Sequence, residues 1–179
     1  MKTKLPLYLA LLLLTQCSKC KTDDPAPAAP NPLDALPPAT QTGQRTFGCL
    51  LNGQPWTLAG NPFGGPLFTC DYSNSNFYLT ANRAIILNST NLTQRIQIEI
   101  DSIRMNGVYV LRQATSRSAE FSYRETQCLY ITDATHPAKV EITRLDLVNR
   151  IVSGTFSFTL EKPGCGRVVV TDGRFDSRF

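Results

Sequence analysis

Beyond Arg45 the chain alternates apolar and polar residues with a period of two. The cleanest run sets Ile96, Ile98 and Ile100 against Gln97, Glu99 and Asp101, and a second sets Phe156, Phe158 and Leu160 against Thr155, Ser157 and Thr159. Such alternation marks strands with one face in a core and one in water, and no 3.6-residue periodicity competes with it. Strands are predicted over 46–51, 54–58, 67–72, 76–81, 83–87, 96–101, 108–112, 119–126, 129–132 and 140–147, the 76–81 and 83–87 runs lying on either side of a short polar break as another hairpin or one bent strand. Asn52-Gly53 is the strongest turn signal and predicts a type I′ hairpin; Asn106-Gly107 and Asn149-Arg150 also turn the chain. The inward parity of 140–147 shifts near Arg144, which predicts a bulge. A closing hairpin occupies 151–179: it turns at Lys162-Pro163-Gly164, returns through Val168, Val169 and Val170, and bends at Gly173.

About nine or ten short strands without an amphipathic helix predict an all-β domain, either an antiparallel β-sandwich or a partly closed β-barrel. Residues 44–179 are enough for one such domain with one core. From Arg45 onward, two Lys and twelve Arg face eleven acids, and the arginines are scattered. Nucleic-acid binding would need a clustered basic stripe, so it is not expected.

The first 43 residues read differently. Lys2 and Lys4 precede an apolar run of ten residues, 5–14. That is too short to span a bilayer, which needs roughly 20 residues, but it suits a signal peptide. Leu14-Thr15-Gln16-Cys17 resembles a lipobox, although Gln16 departs from the small residue usual there. Residues 1–17 are thus expected to be a lipoprotein signal peptide ending at the anchor Cys17, with Cys20 the competing position. Residues 18–43 are rich in Pro and Ala and are expected to form an extended tether of roughly 3 Å per residue. The expected location is the outer membrane, lipid-anchored and facing either the periplasm or the cell surface.

Candidate chemistry is sparse. His136, the only histidine, lies in a turn beside Pro137, where a solvated surface role is the expectation. No Gly-x-Ser-x-Gly elbow, HExxH helix or phosphate-binding loop occurs. Glu120 and Glu125 are the pair that a carboxylate-based hydrolase would use. Asp172 and Asp176 around Gly173 would suit calcium, but a glycine turn with Arg-paired acids is the expectation. Trp56, Phe63, Phe68, Tyr72, Phe77 and Tyr78 would serve as stacking rings for a sugar or peptide, but core filling is the expected role. No cofactor and no metal site is expected.

Cys49, Cys70, Cys128 and Cys165 allow three disulfide pairings in an exported domain. Phe47-Gly48-Cys49, Asn52-Gly53-Gln54-Pro55-Trp56, the run Val152-Ser153-Gly154-Thr155-Phe156-Ser157-Phe158, Cys165, and Thr171-Asp172-Gly173-Arg174-Phe175-Asp176 together resemble a family of small Bacteroidota lipoproteins carrying a domain of unknown function. The resemblance implies an exported, anchored β-domain and offers no activity or ligand. It supports pairing Cys49 with Cys165, the two motif-associated cysteines, which leaves Cys70 with Cys128. The first pair would place the opening and closing strands side by side.

The resulting expectation is a non-catalytic envelope lipoprotein that binds an envelope protein or a glycan and meets the membrane through its lipid. A lipocalin-like carrier of a small apolar ligand and the carboxylate hydrolase are the alternatives. Metabolic labelling with a palmitate analogue is expected to mark the wild-type chain but not Cys17→Ser; equal labelling of both would overturn the anchor.

Overall fold

The computed structural model describes residues 31–60, 65–112 and 117–179. Eleven strands lie among them: β1 Thr46–Leu51, β2 Gln54–Thr57, β3 Phe68–Ser73, β4 Asn76–Leu87, β5 Thr90–Ile100, β6 Gly107–Leu111, β7 Arg117–Tyr123, β8 Cys128–Ile131, β9 Ala138–Asp146, β10 Ile151–Lys162 and β11 Gly166–Arg178. They form two antiparallel sheets in the orders β2-β1-β11-β10-β9-β6 and β3-β4-β5-β7-β8. The sheets pack face to face as a sandwich and do not close into a barrel. The open alternative left by the sequence is thereby decided.

The alternating residues meet between the sheets. Phe47, Trp56, Phe77, Phe121 and Ile96, Ile98 and Ile100 are fully or almost fully buried. Trp56 of β2 spans the sandwich, its indole Nε1 donating to Gln94 Oε1 of β5 at 2.6 Å. Such a bond lets a buried indole keep a partner. This filled interior, between two sheets that do not close, overturns the carrier alternative. It also overturns the stacking-ring alternative for Trp56, Phe68 and Phe77, which are core residues; Phe63 lies outside the described residues.

Two departures from strict pairing shape the larger sheet. Ser153 faces Arg144 whereas Gly154 faces Ile142, so Thr143 is the extra residue of the bulge that the parity shift predicts. On β11, Phe156 faces Gly173 whereas Phe158 faces Val170, a second irregularity. Its left-handed residue is Asp172, at φ 54°, not Gly173. Gly173 is needed for another reason. A Cβ there would lie 2.5 Å from the Phe156 carbonyl oxygen and 2.6 Å from its ring. The same holds in reverse two pairs away, where a Cβ on Gly154 would come within 2.7 Å of the Phe175 ring. Each glycine makes room for the aromatic ring opposite it on the neighbouring strand.

Of the two readings at Ala81, the hairpin is overturned, because β4 runs through the polar position as one strand. Asn82 keeps the strand because its side chain is served outside the ladder: Nδ2 donates to the Pro66 carbonyl at 3.2 Å and Oδ1 accepts from Arg95 Nε at 3.0 Å.

The disulfide pairing differs from expectation on both counts. Cys128 is bonded to Cys165, while Cys49 and Cys70 are free thiols. The adjacency inferred for the first and last strands is nevertheless present, since β1 pairs with β11. What fails is the register. Cys49 falls between the pairs Gly48–Arg174 and Leu50–Thr171, about seven residues and so roughly 20 Å along the strand from Cys165. A disulfide needs Cα atoms within about 7 Å. Instead the bond ties β8, an edge of one sheet, to the hairpin turn of the other, where Tyr130 Oη also donates to the Cys165 carbonyl at 2.6 Å. Cys49 is sealed in the core, and burial pushes its thiol up to about 12 despite the opposing pull of Arg83.

Closing a loop of 37 residues is worth up to about 4 kcal/mol in the chain-entropy model. Replacing Cys128 and Cys165 together by Ala is expected to lower the unfolding free energy in urea by about 2–4 kcal/mol. Peptide mapping of the unreduced protein should link those two positions, with Cys49 alkylated only after denaturation.

Candidate functional site

The segment read as the end of a tether does not stand free. From Asn31 onward the chain belongs to the same compact unit as the sandwich. A short 3-10 turn, η1 (Pro32–Ala35), is capped by Asn31, whose Oδ1 accepts the Leu33 N–H at 3.1 Å. Leu36 is buried behind it. Pro37 then lies flat on Gly48 of β1, where any Cβ would come 2.7 Å from its Cδ, and the Pro37 carbonyl accepts from Arg174 Nη1 at 3.4 Å. Residues 36–44 thus form a strap over the outer face of the six-stranded sheet. The sequence concealed this because prolines and alanines carry no signal for docking.

Arg144 Nη1 also donates to the Gln41 carbonyl, but most of the strap's hydrogen bonds converge on one carboxylate. Asp176 on β11 is 1% exposed. Its Oδ2 accepts Thr40 Oγ1 (2.6 Å) and the backbone N–H groups of Thr42 (3.0 Å) and Gln44 (3.1 Å). Its Oδ1 accepts the Gly43 N–H (2.7 Å) and Ser153 Oγ (2.7 Å) of β10. Burial alone would raise the carboxyl pKa, but these donors outweigh it and bring it down to about 2. Five donors fill the coordination of both oxygens, so Asp176 has none to offer calcium.

Beside the strap, the same sheet face carries a trough made of two adjoining concavities of about 380 and 390 Å³ that share Lys139 and Ser157. Its floor is the outward face of β10: Thr155, Ser157 and Thr159. Cross-strand register sets the banks. Thr155 lies between Glu141 of β9 and Arg174 of β11. Ser157 pairs with Lys139 on one side and adjoins the Asp172 bulge on the other. Each bank therefore carries one cation and one anion, in opposite order, and the trough is charge-balanced. Ala39 of the strap closes one end, and His136 and Pro137 line the other.

The arrangement has no hydrolytic geometry. Asp133 Oδ1 accepts the N–H groups of Thr135 (2.8 Å) and His136 (2.6 Å) and Thr135 Oγ1 (2.6 Å), bonds that hold its carboxyl well below the usual range. His136 is held against this turn, Nδ1 3.0 Å from Thr135 Oγ1 and 3.2 Å from Asp133 Oδ1, while Nε2 faces Glu161 at 3.9 Å; the Thr135 hydroxyl is itself spent on Asp133. The hydrolase pair is separated as well. Glu120 points outward from β7 on the other sheet, its pKa raised by burial and by Glu99. Glu125 lies in the β7–β8 turn, where both its oxygens accept the Thr93 N–H at 2.9 Å. Neither lines the trough, and no group of three or more potential metal ligands occurs among the described residues. Cys17 lies outside the described residues. Sequence reasoning missed the trough because its residues come from three strands whose register is invisible in one dimension; the alternation of Thr155, Ser157 and Thr159 was the one available signal.

Residues 63–177, well over half the chain, match the family described as Domain of unknown function (DUF6252), and the chain belongs to that family. The strap and the β1–β2 hairpin precede the matched residues. Neither the curated proteins nor the solved structures contain a match to this chain.

Because the Asp176 carboxylate keeps its charge to lower pH when folded than the usual value of 3.8, protonation favours unfolding. Its stabilisation is complete above roughly pH 4 and is lost as the pH falls toward about 2. Asp176→Asn is expected to cost about 2–3 kcal/mol at pH 7 and to flatten that acid limb. Urea midpoints measured from pH 2 to pH 7 check both effects.

Proposed function

We propose that this DUF6252 chain is a lipid-anchored envelope lipoprotein whose sandwich is a non-catalytic module for a neutral glycan, bound along β10. The charge-balanced trough is the observation that carries this reading. A neutral polyol offers donors and acceptors on every ring. Arg174 and Lys139 would donate to its hydroxyls, Glu141 and Asp172 would accept from them, and the small hydroxyl floor leaves depth for a sugar edge. An anionic or cationic ligand would meet a like charge on either bank. The outward stretch from Thr155 to Thr159 is about 13 Å long, suited to a short oligosaccharide segment more than to a single ring. Thr135 Oγ1 lies 3.0 Å from His136 Nδ1, but the hydroxyl donates to Asp133 Oδ1 at 2.6 Å and is held inside its own turn, so the reading is of a module that binds and does not cleave.

The exported setting rests on the basic start, the apolar run of 5–14 and Cys17, and on a disulfide, which persists in oxidising compartments. The motif resemblance supports a Bacteroidota origin. Display from the outer membrane on residues 18–30 is the corresponding location, with the strap fixing the sandwich to that tether.

Asp172 supplies the test. At φ 54° it occupies a conformation that glycine adopts more easily. Asp172→Gly is therefore expected to leave stability unchanged or to raise it by up to about 1 kcal/mol. It should weaken retention of the full chain on immobilised neutral polysaccharides about tenfold, the loss of one charge-assisted hydrogen bond. Ser157→Trp, which fills the trough, should abolish retention. Glycan binding untouched by both substitutions, or stronger binding to anionic polysaccharides, would refute the proposal.

A further inference from the structure

Among the four edge strands of the sandwich, three are blunted. Strand β2 contains Pro55 and lies against η1. Strand β3 carries the exposed Asp71, and β8, four residues long, is tied down by Cys128. Among the described residues strand β6 has none of these devices, its chief neighbour besides its ladder partner being β7 of the facing sheet. It pairs only with β9, and its sequence Gly107-Val108-Tyr109-Val110-Leu111 contains no charge and no proline. On its outer face Val108 and Val110 are 54% and 44% exposed. An uncharged, regular edge of this kind is a template for another strand.

We propose that β6 pairs with β6 of a second copy of this chain. The self-complementarity of the strand selects that partner. In an antiparallel pairing about a two-fold axis through Tyr109, each Val108 falls opposite Val110 of the other copy, and the four valines form one apolar cluster. The next strand agrees. Val108 is flanked by Glu141 and Val110 by Lys139, so each row across the junction begins in a carboxylate and ends in an ammonium. No like charges oppose one another. An unrelated strand would have no reason to match this symmetry. The product is one twelve-stranded sheet with both troughs on the same face, their β10 floors five strand spacings, or about 24 Å, apart. A long ligand would then be held at two points. The pairing itself does not depend on what the trough binds.

Five residues of edge contact make a small interface, so the dimer is weak in solution and favoured where copies are concentrated. In sedimentation velocity of the full chain in mild detergent, the wild type is expected to shift from monomer to dimer as concentration rises into the high micromolar range. Val110→Lys should move that transition at least tenfold higher. Val108→Cys combined with Val110→Cys should give a reductant-sensitive dimer in the expressing cells, several-fold above that from Val148→Cys, an exposed apolar control in the β9–β10 turn. A monomer at every concentration, a transition indifferent to Val110→Lys, crosslinking no better than the control, or crosslinking to a different protein would each overturn the proposal.

Discussion

The Asp176 carboxylate gathers more of the strap's hydrogen bonds than any other group on the sheet. It draws in donors from Thr40, Thr42, Gly43 and Gln44 on the strap and from Ser153 on the neighbouring strand. A buried carboxylate without such donors would be costly by several kcal/mol. The strap backbone supplies three N–H groups that would otherwise need partners of their own. Strap and carboxylate thus satisfy each other, and neither is stable in its place alone.

The neighbouring residues show how closely core and surface are coupled in this strand. Asp172 takes the left-handed conformation at the bulge. Gly173 vacates the space that the Phe156 ring fills, and Phe175 covers Gly154 in return. Arg174 reaches the Pro37 carbonyl, and Asp176 holds the strap. Alternation sends Phe175 inward and Arg174 and Asp176 outward. A motif that resembles a functional signature is therefore mostly architectural, yet its outward residues also bank the trough.

Strand identity and the all-β class were legible because period-two alternation is local. The Thr143 bulge was legible for the same reason, as a slip in that alternation. The Asn52-Gly53 turn read correctly because type I′ geometry needs left-handed residues, here at φ 50° and 77°. Disulfide pairing was not legible. Cysteines meet only where register and the stacking of two sheets bring them together, and Cys49 and Cys165 share neighbouring strands without sharing a level. Strap docking was hidden for a different reason: what the strap itself contributes is mostly main-chain N–H and carbonyl groups, which meet Asp176 and Arg174, and a proline seated on Gly48, and none of these makes a side-chain pattern.

The strap also bears on how the trough keeps its shape. Its wall at Ala39 lies between two fixed points, Pro37 seated on Gly48 and the Thr40–Gln44 turn held by Asp176. A wall pinned on both sides loses little freedom when a ligand arrives, so less of the binding free energy is spent on ordering it. Load applied to the chain at Asn31 meets η1 and the Pro37–Gly48 contact before it reaches the Asp176 bonds. The trough floor, on β10, is a further strand away behind the full β10–β11 ladder. If the module is tethered through this segment, as proposed, it would be pulled from its N-terminal side while the hydroxyl stripe and its two charged banks stayed in register.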